Sequence, residues 1–315
     1  MLSRRSFLLT PALAARGARL SSRERLDRAL RGEDLDRPPF TYWYHFLDDK
    51  LPGERHAQST LDFQRKFRTD LVKVMSDYAY PKPAGPWHAL RAVENPFPQQ
   101  IRALELIRDG LAGSKHFVET IFNPWNVAEK LSSKEEVLKL KAEKPQALLD
   151  ALEAIARSEA NHARRAVAAG ASGIFLAIAN AQDGILSRAD YARFSQPFDK
   201  LVLDAVASAP LNVLHLHGDK VYLDLFYKGW PAAAINYSRH GTGVPIQRVR
   251  DKYTGVLMGG IDEANYRKLS RADLKRQWEE ARQAAGKRFI LSPGCSVPND
   301  TKDEELLPLT KLLGA

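Results

Sequence analysis

Asn212-Val213-Leu214-His215-Leu216-His217-Gly218 is the stretch on which the fold turns. Side chains alternate along a strand, so Val213, His215 and His217 share one face and Leu214 and Leu216 the other. The all-apolar second face predicts a strand roofed by helices, with both imidazoles projecting into an enclosed pocket. Neutral imidazole is the commonest biological metal ligand. The only cysteine, Cys295, ends another apolar run, Phe289-Ile290-Leu291-Ser292-Pro293-Gly294-Cys295. If both runs are staves of one closed sheet, His215, His217 and Cys295 meet at a metal. Three ligands from two strand ends match a catalytic zinc site with an open position.

Outward from this stretch, short β-branched or aromatic runs alternate with longer helical ones, the pattern of βα units and a parallel sheet. Eight such runs occur, at 40–46, 71–78, 116–123, 174–180, 213–217, 233–238, 255–261 and 288–295. Eight staves close a (β/α)8 TIM barrel, and 315 residues suit one such domain. The helical stretches carry start signals: Ser133 with Glu136, Ser187 with Asp190 and Ser270 with Asp273 have capping-box spacing. A helix from Ser22, closed by Gly32, precedes the first run. We therefore expect an N-terminal segment 1–20 followed by a single barrel over 21–315.

The formal charge is +9. Apart from the N-terminal third, the basic residues are spread along the chain rather than clustered with interleaved aromatics, which favours anionic small molecules or solubility over nucleic acid. No run of about 18 apolar residues exists to cross a membrane, and one cysteine excludes an intrachain disulfide. Ser3-Arg4-Arg5-Ser6-Phe7-Leu8-Leu9 resembles a twin-arginine export signal, and Ala12-Leu13-Ala14 a cleavage site. The apolar stretch is short and contains Pro11, so the expectations are a periplasmic protein or, with an uncleaved tail, a cytoplasmic one.

Active sites of such barrels lie where the strands end. The polar residues there include His45, Asp77, Tyr78, Asn180, Gln182, His215, His217, Asn236 and Cys295. Lys73 shares a strand face with Met75 and Asp77, so it either pairs with Asp77 or binds a polar substrate. Asp77 and His45 are the candidate catalytic residues; Lys73, Tyr78, Asn180, Gln182 and Asn236 the candidate substrate contacts. Asn123 and Asp262 read as helix caps, and His240 as a solvated loop histidine. The proline-rich 80–87 stretch reads as a loop on the catalytic face.

Several segments together resemble the uroporphyrinogen decarboxylase superfamily: Ser22-Arg23-Glu24-Arg25 through Gly32, Asp36-Arg37-Pro38-Pro39, Thr120-Ile121-Phe122-Asn123-Pro124, Gly173-Ile174-Phe175, Leu214-His215-Leu216-His217-Gly218 and Ser292-Pro293-Gly294-Cys295-Ser296-Val297-Pro298. The resemblance runs from Ser22 to the C-terminus and implies a TIM barrel. The superfamily holds tetrapyrrole decarboxylases and zinc-containing, cobalamin-dependent methyltransferases. Decarboxylases use arginines at the end of the first strand and an aspartate at the end of the second; Asp77 matches the aspartate, but 42–46 contains no arginine. Methyltransferases carry His-x-Cys-Gly and a distant cysteine. Here His215 and Cys295 match, and His217 stands in place of the middle cysteine. The resemblance therefore implies a zinc methyltransferase serving a corrinoid, a corrinoid protein or a methylated small molecule. The alternatives are a metal-free decarboxylase acting through Asp77 and an exported, non-catalytic binder of a tetrapyrrole or corrinoid.

Overall fold

The computed structural model of the chain describes residues 19–46, 51–76 and 78–313. The twin-arginine stretch and Asp77 lie outside these residues. Seven strands, β1 (Leu71–Val74), β2 (His116–Phe122), β3 (Ile174–Ile178), β4 (Val213–Leu216), β5 (Ala234–Tyr237), β6 (Val256–Ile261) and β7 (Phe289–Pro293), form one sheet in chain order. Every neighbouring pair is parallel. The architecture is therefore a curled α/β sheet, TIM-barrel-like, with helices on its outer face.

The expected eighth stave, 40–46, is not a strand. It makes a single bridge, Phe40 to Leu291 of β7, while the Phe40 carbonyl accepts from the Asp70 N–H at 2.8 Å. Three local features stop it extending. Pro39 has no N–H to offer; the Phe40 N–H goes to the Asp70 carboxylate at 3.1 Å; and beyond Tyr42 the backbone turns to the loop after β7. There Val297 N–H donates to the Trp43 carbonyl at 2.9 Å and His45 N–H to Asn299 Oδ1 at 3.1 Å.

Helix α1 (Ser22–Arg31) starts at Ser21, whose hydroxyl accepts from Glu24 N–H, and stops at left-handed Gly32. It is followed by α2 (Gly53–Phe67), α3 (Pro98–Leu111), α4 (Pro124–Leu131), α5 (Lys134–Glu143) and the long α6 (Pro145–Ala168). Ser133, Ser187 and Ser270 each cap a helix by accepting the N–H three residues on, as their spacing predicts. Strand alternation separates two cores. Val118, Phe175, Val213 and Met258 pack inside the sheet, whereas Leu214, Leu216, Ile121 and Leu176 face the helices. No helix among the described residues is long and apolar enough to cross a membrane.

Candidate metal centre

β4 places His215 inside the sheet, 5% exposed, and brings His217 to its mouth one pleat further on. The His217 N–H still pairs with the Ile178 carbonyl of β3 at 2.9 Å, so its direction is set by the sheet. The turn behind it needs glycine. Gly218 sits at φ +127°, and a Cβ there would stand 2.2 Å from Gln182 Oε1. Cys295 arrives from β7 after Gly294, which passes so close to Ser238 that a Cβ would lie 2.2 Å from its Cα.

The result is convergence. One donor atom from each of His215, His217 and Cys295 lies within 4.8 Å of the others, and His217 Nδ1 stands 3.3 Å from Cys295 Sγ. His215 is oriented from behind. Asn236 Nδ2 donates to the Met258 carbonyl, Ser292 Oγ and the Pro293 carbonyl, which fixes its Oδ1 as an acceptor. That oxygen lies 2.6 Å from His215 Nδ1, so the ring proton sits on Nδ1 and the Nε2 lone pair is left for the cluster. Phe175 stacks on the same ring, centroids 5.0 Å apart.

Electrostatics follow from this packing. Burial pushes the Cys295 thiol upward, but hydrogen bonds and charge from both histidines outweigh it and bring it down to about 4. The hydrogen bond to Cys295 raises His217, against the opposing effect of burial. A thiolate between two imidazoles is a donor set that suits a divalent cation of zinc type.

The cluster forms one wall of a cavity of about 440 Å³. Trp43, Met75, Phe122 and Phe175 supply apolar surface; His45, Lys73, Thr120, Asn126 and Glu129 supply polar groups. Lys73 Nζ lies 2.8 Å from Met75 Sδ and 4.8 Å from the Phe175 ring centre. The other expected substrate contacts sit elsewhere. Asn236 is spent on His215, and Gln182 Nε2 donates to the Ala179 and His217 carbonyls at 2.6 and 3.1 Å. Asn180 Oδ1 accepts from Asn123 Nδ2 in a buried knot with Ser195 and Asp199. The Tyr78 hydroxyl donates to the Leu51 carbonyl at 3.0 Å, outside the cavity lining. Asn123 and Asp262 cap the turns that follow them. His240 is half-buried with Nδ1 3.5 Å from Asp262, apart from the donor cluster.

Sequence reasoning missed Thr120, Phe122, Phe175 and Ala177, although strand parity contained them: they alternate with the outward residues of β2 and β3. Glu129, Lys130 and Lys134 come from α4 and the start of α5, where no strand-end rule applies.

The profile for uroporphyrinogen decarboxylase (URO-D) matches residues 74–313, which includes all three cluster residues. The chain belongs to the uroporphyrinogen decarboxylase family. A uroporphyrinogen decarboxylase of Prochlorococcus marinus (strain MIT 9211) is 25% identical, covering 88% of this chain and 92% of its own. One from Trichodesmium erythraeum (strain IMS101) is 26% identical, covering 92% and 95%. Among solved structures, a methyltransferase from Methanosarcina mazei superposes with a TM-score of 0.72 at 18% identity, covering 94% of this chain and 99% of its own. A B12-independent methionine synthase from Shewanella sp. W3-18-1 gives 0.60 at 12% identity, covering 88% and 92%. These two likenesses concern the fold of this uroporphyrinogen decarboxylase family member.

Proposed function

We propose that the protein is a zinc-dependent methyltransferase that moves a methyl group between a corrinoid or methylated small molecule and a nucleophile activated at the metal. The convergence of His215, His217 and Cys295 within 4.8 Å carries this reading. Bound zinc would supply Lewis acidity, lowering the pKa of a coordinated thiol, alcohol or water. The chain's own residues do the rest. Asn236 holds His215 with its lone pair forward, and Gln182 braces the peptide that carries His217. Trp43, Phe122 and Phe175 line the neighbouring cavity with apolar surface, and among the described residues Lys73, Lys130 and Lys134 outnumber Glu129 there, which favours an electron-rich or anionic methyl carrier. His45, on the cavity wall, is our candidate for moving a proton, with Asp77 on the strength of its sequence position.

The names of the curated relatives support the alternative of tetrapyrrole decarboxylation. Against it, 42–46 holds no arginine, and a polycarboxylate would lack the bidentate partners that such groups prefer. For localisation we propose, from the sequence alone, export through the twin-arginine stretch to the periplasm, with an uncleaved, cytoplasmic protein as the alternative. Elemental analysis of untagged protein and of His217→Ala tests the metal reading. About one equivalent of zinc in the wild type and a loss in the variant are expected; equal trace levels in both would end it.

A further inference from the structure

A second cavity, of about 470 Å³, lies at the opposite end of the sheet from the metal cluster. Its walls come from residues just before the chain enters the sheet: Arg37 ahead of Phe40, Arg68 ahead of β1, and Lys115 ahead of β2. Arg19, Arg25 and Arg65 add to a lining in which no carboxylate takes part among the described residues.

Some of this charge is answered from behind. Arg25 pairs with Asp36 and Asp70, each at 2.7 Å, and Arg37 shares Asp70. Exposed Arg65 pairs with Asp62. The balance stays positive. Lys115 Nζ donates only to neutral oxygens, Ser22 Oγ at 3.0 Å and the Thr69 carbonyl at 2.6 Å. Its ammonium is disfavoured by burial first; nearby Asp70 opposes this, and Arg37 and Arg25 add to it. Arg37 Nε is buried without a hydrogen-bond partner, and the exposed Arg68 guanidinium has no ion pair among the described residues. The first turn of α1 opens onto the same space through Ser21 and Ser22, adding backbone N–H groups with no intrahelical acceptor.

We propose that this pocket binds a small molecule carrying a phosphate or diphosphate group. Guanidinium forks match phosphate oxygens bidentately. The volume exceeds what one phosphate fills and falls within the range of small-molecule sites, roughly 300–1,000 Å³. The proposal stands independently of the methyltransferase reading, because no residue of the metal cluster takes part.

Arg68 provides a clean test. It sits at φ +51°, the left-handed cap of α2, where glycine is at ease. Arg68→Gly removes the cation and relieves the backbone, so lost binding cannot be ascribed to unfolding. Inorganic pyrophosphate, and separately inorganic phosphate, would be titrated calorimetrically into the full-length wild type, Arg68→Gly and Lys115→Met. We expect saturable binding of pyrophosphate, tighter than phosphate, weakened at least tenfold in Arg68→Gly and in Lys115→Met, with metal content unchanged. Absence of saturable binding in the wild type, or binding that both variants retain, would overturn the proposal. So would a short single-stranded oligonucleotide binding more tightly than pyrophosphate.

Discussion

Asn236→Ala isolates what orientation contributes to the proposed metal centre, because Asn236 touches His215 without lining the cavity. In the variant the His215 Nδ1–H loses its acceptor. Two outcomes are open to the ring. The proton stays on Nδ1, buried and unpaired at a cost of about 1–3 kcal/mol; or it moves to Nε2 and removes the lone pair from the cluster. Both weaken the metal. Loss of such an outer partner costs about 10–100-fold in affinity, or roughly 1.4–2.7 kcal/mol at 1.36 kcal/mol per decade. Alanine also strips the donor from the Met258 and Pro293 carbonyls, although the latter keeps Ser292 Oγ at 2.9 Å. Folding stability should therefore fall by a further 1–3 kcal/mol or so. Asn236→Asp separates the two effects: its carboxylate still accepts from His215, but it faces those carbonyl oxygens without a donor. Competition for zinc against a chromophoric chelator, with urea unfolding of the same samples, should show near-native affinity with lowered stability in Asn236→Asp, and losses of both in Asn236→Ala. A folded Asn236→Ala that holds zinc within about twofold of wild type would refute the orientation argument.

Burial pushes the Asp199 carboxyl up to about 7, against donors from Asn123, Tyr191 and Ser195. The folded state therefore binds this proton more readily than the unfolded chain between about pH 4 and 7, so the group's contribution to stability declines as pH rises through that window and is level above it. Asp199→Asn removes the decline. Its stability relative to wild type should climb from pH 4 to 7, by something on the order of 4 kcal/mol at most, and urea midpoints that differ by a pH-independent amount would exclude the assignment. His217→Cys probes the ligand set itself. Because Nδ1 faces Cys295, a cysteine sulfur falls about one bond short of the present donor, a gap that the longer Zn–S bond of about 2.3 Å, against about 2.0–2.1 Å for Zn–N, partly closes. Cobalt-loaded His217→Cys should show about twice the sulfur-to-cobalt absorption of wild type per metal; an unchanged band would mean that position 217 does not ligate.

Much of this was legible in the chain because strands in a parallel sheet obey strict parity. His215 and His217 were readable as neighbours on one face, and Cys295 as the end of another stave, since β4 and β7 are buried on both sides. The same rule misled at Asn180 and Asn236. A polar residue at a strand end can point to the cavity or be consumed within the scaffold, and which occurs depends on partners far away in sequence. Asn236 is claimed by Met258 and Pro293 of adjoining strands; Asn180 by Asn123 of β2's exit. The stave at 40–46 failed for a comparable reason. Its alternation is strand-like, but Pro39 lacks an N–H, Asp70 takes the Phe40 N–H, and the returning 297–299 loop engages Trp43 and His45.

The proposed middle ligand is where this chain departs from the pattern it otherwise resembles, and its position accommodates the departure. His217 lies beyond the last ladder residue of β4, at the mouth of the sheet, where its ring meets His215 and Cys295 on one side and stays partly exposed, whereas His215 and Cys295 are boxed in by Phe175 and by the close pass of Gly294 against Ser238. Replacing a thiolate by a neutral imidazole adds one positive charge to a zinc complex and makes it the stronger Lewis acid. Such a centre gives less electron density to a bound sulfur and more readily ionises a bound oxygen. The cavity beside it has lysines from β1, α4 and the α4–α5 junction to hold the resulting anionic species. On this argument the acceptor to test first is an alcohol or water, with thiols as the comparison. A thiol preferred over every oxygen nucleophile would show that the imidazole at 217 does not set the chemistry.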